Sequence, residues 1–409
     1  MDILAPAGSY ESLRAAIQAG ANSVYFGIDK LNMRSRSSMN FTLADLAEIS
    51  KIFRDNGVKS YITLNTVMYE EDLAVMREIV DAAISHHIDA IIASDQAVIN
   101  YVHGKNIALH LSTQINISNI ESVKFYANFA EVVVLARELS LDQIKTISSE
   151  ISSQNICGPS GKHIRVEVFG HGALCMAVSG KCFLSEHMHH ASANRGACYQ
   201  VCRREFQVKD DKGEELKLEN NYILSPKDLC TIGFLDQIVE AGVSVLKIEG
   251  RGRSPEYVKT VVSAYRQAEE AIASGSYTKE LAEELTIRLG QVFNRGFWEG
   301  HYLGDKMSNW NTNIHGSKAT HRKEYAGKGV KYFKKIKVAE FLLESGVLSV
   351  GETIIITGPT TGVIEFVVQD LWFDDKSVSR VTKGDRFSIK MEQTIRASDK
   401  LYRLLKADR

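Results

Sequence analysis

A chain of 409 residues and 45.5 kDa, 44% hydrophobic and 24% charged, has ordinary globular composition and room for a barrel-sized unit plus a smaller one. Its net charge of −1 means that any polyanion must be met by a local patch rather than by the whole molecule. No apolar stretch reaches the roughly 18–20 residues of a membrane span, and the first six residues have neither the basic start nor the apolar run of a secretory signal. A cytoplasmic protein without a membrane partner is expected.

In chain order, short apolar runs at 3–6, 23–27, 60–65, 90–94, 108–112, 131–136, 165–169 and 243–248 read as strands. Between them, segments such as 9–19, 43–55, 70–86 and 120–129 carry apolar residues at helical spacing. Ala19-Gly20-Ala21 and Ala241-Gly242-Val243 read as helix stops leading into the next strand. Eight strands alternating with helices predict an α/β fold, a (β/α)8 barrel of the TIM type. An open doubly wound sheet is the rival, but no Gly-x-Gly-x-x-Gly follows the first strand.

In such a barrel, chemistry gathers at the C-terminal ends of the strands. Those ends offer Asn65, Asp95, Gln114, Arg137, His171, Glu249 and Arg251, a polar rim above buried strands. His171, Glu249 and Lys247 are the catalytic candidates, and Asn65, Gln114 and Arg137 are substrate-binding candidates. Any one of them could instead serve as a cap or turn residue. Lys247 sits inside a strand, so it either points into the barrel as a functional group or caps a carboxylate there.

Six cysteines are present, and Cys175, Cys182, Cys198 and Cys230 fall within 56 residues, with Cys202 beside the third and Cys157 upstream. In a reducing compartment this pattern suits metal or redox chemistry better than disulfides. The cysteines follow the seventh strand in an insertion at about 173–230, which predicts a metallocentre over the rim. Iron–sulfur and zinc both remain open, although structural zinc sites favour tight cysteine pairs and the first pair here is separated by six residues. His187, His189 and His190 could also bind metal, or be solvated loop residues. No His-Glu-x-x-His and no Gly-x-Ser-x-Gly occurs. Arg195, Arg203, Arg251 and Arg253 should converge on the same mouth, where guanidinium forks suit a small dicarboxylate. Pairing of Arg251 and Arg253 with Glu249 and Glu256 is the structural alternative.

Residues 318–337 contain eight Lys or Arg and one acid, interleaved with Tyr325, Tyr332 and Phe333. Lys331, Lys334 and Lys335 are candidate RNA contacts, since cations mixed with aromatics serve phosphates and bases. A solvated linker is the alternative. Beyond residue 338, alternating segments and turns predict a small antiparallel β-barrel. The expected organisation is a barrel at 1–305, a basic connection at 306–337 and a small β-barrel at 338–409.

Long motifs carry a family resemblance. Glu167-Val-Phe-Gly-His-Gly-Ala-Leu-Cys175 with Lys181-Cys182, Asn194-Arg-Gly-Ala-Cys198-Tyr-Gln-Val-Cys202-Arg203, Leu224-Ser-Pro-Lys-Asp-Leu-Cys230 and Lys247-Ile-Glu249-Gly-Arg251-Gly-Arg253-Ser-Pro-Glu256 together resemble the collagenase-like peptidase family U32. The resemblance, drawn to its tRNA-hydroxylating branch, implies a [4Fe-4S] cluster on Cys175, Cys182, Cys198 and Cys230. Cys202 remains open as a ligand, because some relatives use a Cys-x-x-x-Cys pair at that place. It further implies dioxygen-independent hydroxylation of a tRNA wobble uridine to 5-hydroxyuridine, with prephenate as possible co-substrate and tRNA as partner. The alternatives are a collagenase-like peptidase, for which the sequence offers no assignable nucleophile, base or oxyanion hole, and a cluster-bearing subunit of a hydroxylase acting on another substrate. A homo- or hetero-oligomer is compatible with either.

Overall fold

A computed structural model describes residues 1–36, 39–216, 222–304 and 316–407. Strands β1 (Asp2–Pro6), β2 (Ser23–Gly27), β3 (Lys59–Leu64), β4 (Ala90–Ala93), β5 (Ala108–Leu111), β6 (Val132–Val134) and β7 (Arg165–Ala173) pair in parallel, each with the next. After a small hairpin of β8 (Val208–Lys209) and β9 (Glu215–Leu216) and the short β10 (Asp228–Cys230), β11 (Val245–Ile248) pairs in parallel with both β7 and β1. That double pairing closes an eight-stranded parallel barrel of the TIM type.

Helices α1 (Tyr10–Gln18), α2 (Leu46–Asn56), α3 (Leu73–Ser85), α4 (Gln96–Val102), α5 (Ile120–Ala127) and α6 (Leu141–Ser153) alternate with these strands. Several start where a polar side chain takes up an orphan amide: Ser9 accepts from Ser12, Asp95 from Ala97 and Asn119 from Ser122. Gly20 and Gly242 follow α1 and α8 (Leu235–Glu240) with φ of 84° and 83°, as a helix stop requires. The barrel interior is filled by Leu4, Tyr25, Tyr61, Ala90, Ile92 and Val245, while the outward strand faces join the helices in a second, larger core.

β7 outruns the barrel. Its register against β11 slips after Lys247, so that Ile248 pairs with His171. The projecting end pairs antiparallel with β10, which also pairs with β12 (Phe297–Trp298). The chain between β7 and β10 rises over the barrel mouth through α7 (Leu184–His189) and short helical turns.

The expected C-terminal β-barrel is not formed. β13 (His321–Phe333), β14 (Val338–Leu343), β16 (Thr353–Gly358), β17 (Gly362–Val367), β18 (Trp372–Phe373), β19 (Lys376–Ser377), β21 (Arg386–Lys390) and β22 (Lys400–Lys406) make one open antiparallel sheet, ordered β17-β16-β22-β13-β14-β21-β18-β19. β15 (Val347–Ser349) and β20 (Arg380–Thr382) form a separate ribbon. Closure would need β17 to pair across to β19. Instead β17 lies against the first barrel: the Gln18 amide accepts from Val363 N–H at 3.0 Å and donates to Thr361 O at 2.8 Å, and Lys259 donates to Val363 O at 2.7 Å. Side chains of α1 and of α9 (Pro255–Ala273) thus satisfy edge groups that a closing strand would have used. β13, read from sequence as part of a basic connection, runs through the middle of this sheet, where a register shift between Tyr325 and Gly327 leaves the adjacent Ala326 and Gly327 both buried, with Gly329 beyond them. Among the described residues no helix is long and apolar enough to cross a membrane.

Candidate functional site

A cavity of about 190 Å³ opens at the C-terminal end of the barrel, between the strand ends and the rising segment after β7. Its floor comes from barrel strands. Lys247 on β11 donates to Glu167 on β7 at 2.8 Å, with both side chains nearly inaccessible, and its ammonium lies 4.7 Å from the Tyr25 ring centre. Glu167 uses one carboxylate oxygen in this pair, while the other is buried without a hydrogen-bond partner among the described residues.

Above the floor, Glu249 is paired to Arg34 at 2.9 Å. Burial alone would raise its carboxyl, but Arg34, Arg253 and Arg251 together hold it below the ordinary carboxylate range, so it is ionised near neutrality. Arg251 is 4% exposed; it donates to Thr63 Oγ1 and Asn32 Oδ1, each at 2.8 Å. Its Nη1 occupies the space that a side chain on Gly27 would take. Asn65 accepts from Met33 N–H at 3.2 Å and donates to Ser112 Oγ at 3.3 Å, with Gln114 Oε1 at 3.5 Å. Arg137 reaches Ala177 O at 3.3 Å across the mouth. Lys247, Glu249, Arg251, Asn65, Gln114 and Arg137 therefore all line one cavity.

The remaining candidates lie elsewhere. His171 is 1% exposed and sits behind the wall among Tyr257, Tyr265 and Phe297. Burial, with Arg253 nearby, pushes its imidazole down to about 3, so it is neutral. Arg195 is drawn outward to Asp72 at 2.5 Å and stacks 3.9 Å from the Tyr69 ring centre. Arg253 covers the Phe293 ring at 3.7 Å and faces Asp228 at 4.0 Å. Glu256 pairs with Lys323 at 2.9 Å. Neither the common dicarboxylate clamp nor the local Arg–Glu pairing is what these arginines form. Lys331 lies on β13 with its ammonium 4.9 Å from the Phe333 ring centre, and Lys334 and Lys335 stand exposed in the turn that follows.

The thiols correct a further expectation. Cys175, Cys182, Cys198 and Cys202 reach the cavity wall from separate turns, but Cys230 does not. Cys230 is buried on β10, 3.9 Å from the Tyr265 hydroxyl that donates to it, and burial pushes its thiol up to about 11. Burial also raises the Cys202 thiol, with Cys175, Cys198 and Cys182 acting in the same direction. Among the described residues no group of three or more His, Cys, Asp or Glu side chains is set to hold a metal ion. The residues thus do not fit the [4Fe-4S] cluster on Cys175, Cys182, Cys198 and Cys230 that the resemblance implied, because the fourth ligand faces the protein core.

Arg34, Asn32 and Glu167 are the site residues that sequence reasoning missed. Arg34 and Asn32 follow the second strand, several residues past its predicted end at 27, and nothing local marks them as partners of Glu249 and Arg251.

In a TIM-type barrel, a cavity at the C-terminal strand ends that is lined by Lys247, Glu249 and Arg251 lies where this fold places its ligand sites. The chain belongs to Peptidase family U32, whose pattern matches residues 8–312. It is 56% identical over 408 residues to a collagenase of Porphyromonas gingivalis strain W83, covering 100% of this chain and 98% of that protein. A second Porphyromonas gingivalis collagenase is 50% identical over 369 residues, covering 89% of this chain and all of the relative. A tRNA hydroxylation protein of Bacillus subtilis is 33% identical over 311 residues, covering 73% and 71% of the two chains. The collagenases stand well above the tRNA hydroxylation protein in both identity and coverage. That ordering overturns the assignment to the tRNA-hydroxylating branch and, with the missing ligand set, the expected uridine hydroxylase activity.

Proposed function

We propose that this protein is a peptidase that hydrolyses collagen-like chains, with the rim cavity as its active site. The observation that carries the reading is the full-length 56% identity to a collagenase in a chain whose barrel carries an open cavity with charged side chains in its lining at the C-terminal strand ends. Glu249, ionised and fixed by Arg34, is the group we assign to orient a water and take its proton. The water oxygen adds to the peptide carbonyl carbon, the C–N bond breaks, and the proton passes to the departing amine. Lys247, held by Glu167 on the cavity floor, faces the place where negative charge develops on the carbonyl oxygen. Asn65 and Gln114 supply neutral hydrogen-bonding groups for the substrate backbone. In this reading residues 1–305 form the catalytic unit. The six unpaired cysteines suit a reducing, cytoplasmic compartment.

The test is cleavage of gelatin and of synthetic Gly-Pro-rich peptides by purified wild-type protein and Glu249→Gln. Loss of the general base should lower kcat/KM by about 10²–10⁴-fold with circular dichroism unchanged. Absence of cleavage by the wild type, or equal cleavage by Glu249→Gln, would overturn the proposal.

A further inference from the structure

The charges on the cavity wall do not balance. Its described lining carries five cations, Arg34, Arg137, Arg203, Lys247 and Arg251, against one carboxylate, Glu249. Arg34 is matched by Glu249 and Lys247 by Glu167 behind the wall. For the other three, the partners within hydrogen-bonding reach among the described residues are neutral oxygens. Arg251 holds Thr63 Oγ1 and Asn32 Oδ1; Arg203 holds Ser225 Oγ, Pro226 O and Leu174 O; Arg137 holds Ala177 O. Among the described residues, the buried Nε of Arg137 has no acceptor.

Taking a guanidinium out of water is costly unless an anion offsets it. Arg251 shows that cost directly, since burial pulls it down to about 10. Each guanidinium offers five donors in a fixed fork suited to a planar carboxylate, and Arg251 spends two of them on the protein contacts named above. Size adds a second constraint. A cavity of about 190 Å³ is smaller than the roughly 300–1,000 Å³ that encloses a drug-sized ligand, so it admits the end of a single chain and not a three-stranded rod.

Three exposed apolar side chains mark where the rest of such a chain would lie. Val178, Phe183 and Tyr199 are 51%, 71% and 48% exposed, and each is flanked on both sides by residues that line the cavity.

We propose that the cavity receives the free C-terminal carboxylate of a peptide on Arg251 and Arg137, so that the enzyme removes short fragments from chain ends rather than cutting within an intact triple helix. This inference rests on the peptidase reading, and its test reads binding separately from cleavage. Titration calorimetry with matched Gly-Pro-rich peptides, one ending in a free acid and one in an amide, measures the preference whether or not hydrolysis occurs. The acid should bind at least about tenfold more tightly, as a hydrogen-bonded charge requires. Arg251→Gln should bring the two affinities together, and Arg137→Gln should narrow the gap several-fold. Because Arg251 is buried and its variant could misfold, the half-buried Arg137 keeps the test decisive. Equal binding of acid and amide by the wild type would overturn the proposal. So would an acid preference untouched by Arg137→Gln, or binding of succinate alone as tight as that of the peptide acid, which would assign the site to a small metabolite. If acid-selective binding is found without cleavage, the carboxylate subsite stands and the peptidase reading falls.

Discussion

Removing Lys247 should expose how much the catalytic floor depends on one buried ion pair. Lys247 and Glu167 lie 2.8 Å apart with side-chain exposures of 8% and 0%. At an effective dielectric near 20, their attraction is about 6 kcal/mol, most of it offset by the cost of burying both charges. Lys247→Met leaves the Glu167 carboxylate buried, with its second oxygen already lacking a partner. The expected loss is about 3–5 kcal/mol, the usual result of breaking a buried pair from one side. Glu167→Gln should cost less, near the lower end of that range, because the amide oxygen can still accept from the ammonium. The double variant Lys247→Met/Glu167→Gln removes both charges and should be more stable than the sum of the single losses predicts, by about 2 kcal/mol or more. Urea unfolding followed by tryptophan fluorescence and far-ultraviolet dichroism reads all four proteins. Single variants within about 0.5 kcal/mol of wild type, or strictly additive losses, would refute the pairing as the organising contact of the floor.

Two further outcomes follow from buried groups and close approaches. His110 and His171 are both pushed down to about 3 by burial, so the folded protein holds them neutral while the unfolded chain protonates them below about 6.5. Their contribution is fully present above pH 6.5 and is lost as pH falls toward 3. Stability should therefore drop by up to about 2.7 kcal/mol per pH unit within that window, and His171→Gln should roughly halve the slope in pH-dependent urea melts. Gly196 has φ of 86°, and an added Cβ would overlap the Asn32 carbonyl oxygen and Ser35 Oγ. Gly196→Ala should cost about 1–3 kcal/mol and, by displacing Asn32 from Arg251, weaken peptide binding in the same calorimetric assay.

The barrel was legible because its signals are local and repeated. The runs 3–6, 23–27 and 108–112 coincide with β1, β2 and β5 to within a residue, and Gly20 and Gly242 end their helices as expected. The site was legible only as a rim. Sequence placed Lys247, Glu249 and Arg251 together because they share one strand end. It could not pair Glu249 with Arg34, because 215 residues separate them and only the closed barrel joins them. Cys230 looked like a fourth ligand by motif, whereas the antiparallel pairing of β10 with β7 turns it toward Tyr265. The C-terminal sheet misled in another way. Alternation predicts strands but not closure, and closure was decided by Gln18 and Lys259 on distant helices. β13 was hidden because its exposed residues are largely basic, and because its small buried residues, Ala326, Gly327 and Gly329, straddle a register shift and break the alternation that marks a strand.

The most direct test of peptide hydrolysis is to incubate a collagen-derived peptide with purified protein in ¹⁸O-labelled water and analyse the products by mass spectrometry. The account predicts fragments whose new C-terminal carboxylates each carry one solvent oxygen, with label incorporation lost in Glu249→Gln. Intact peptide after prolonged incubation, or labelled fragments produced equally by Glu249→Gln, would contradict it.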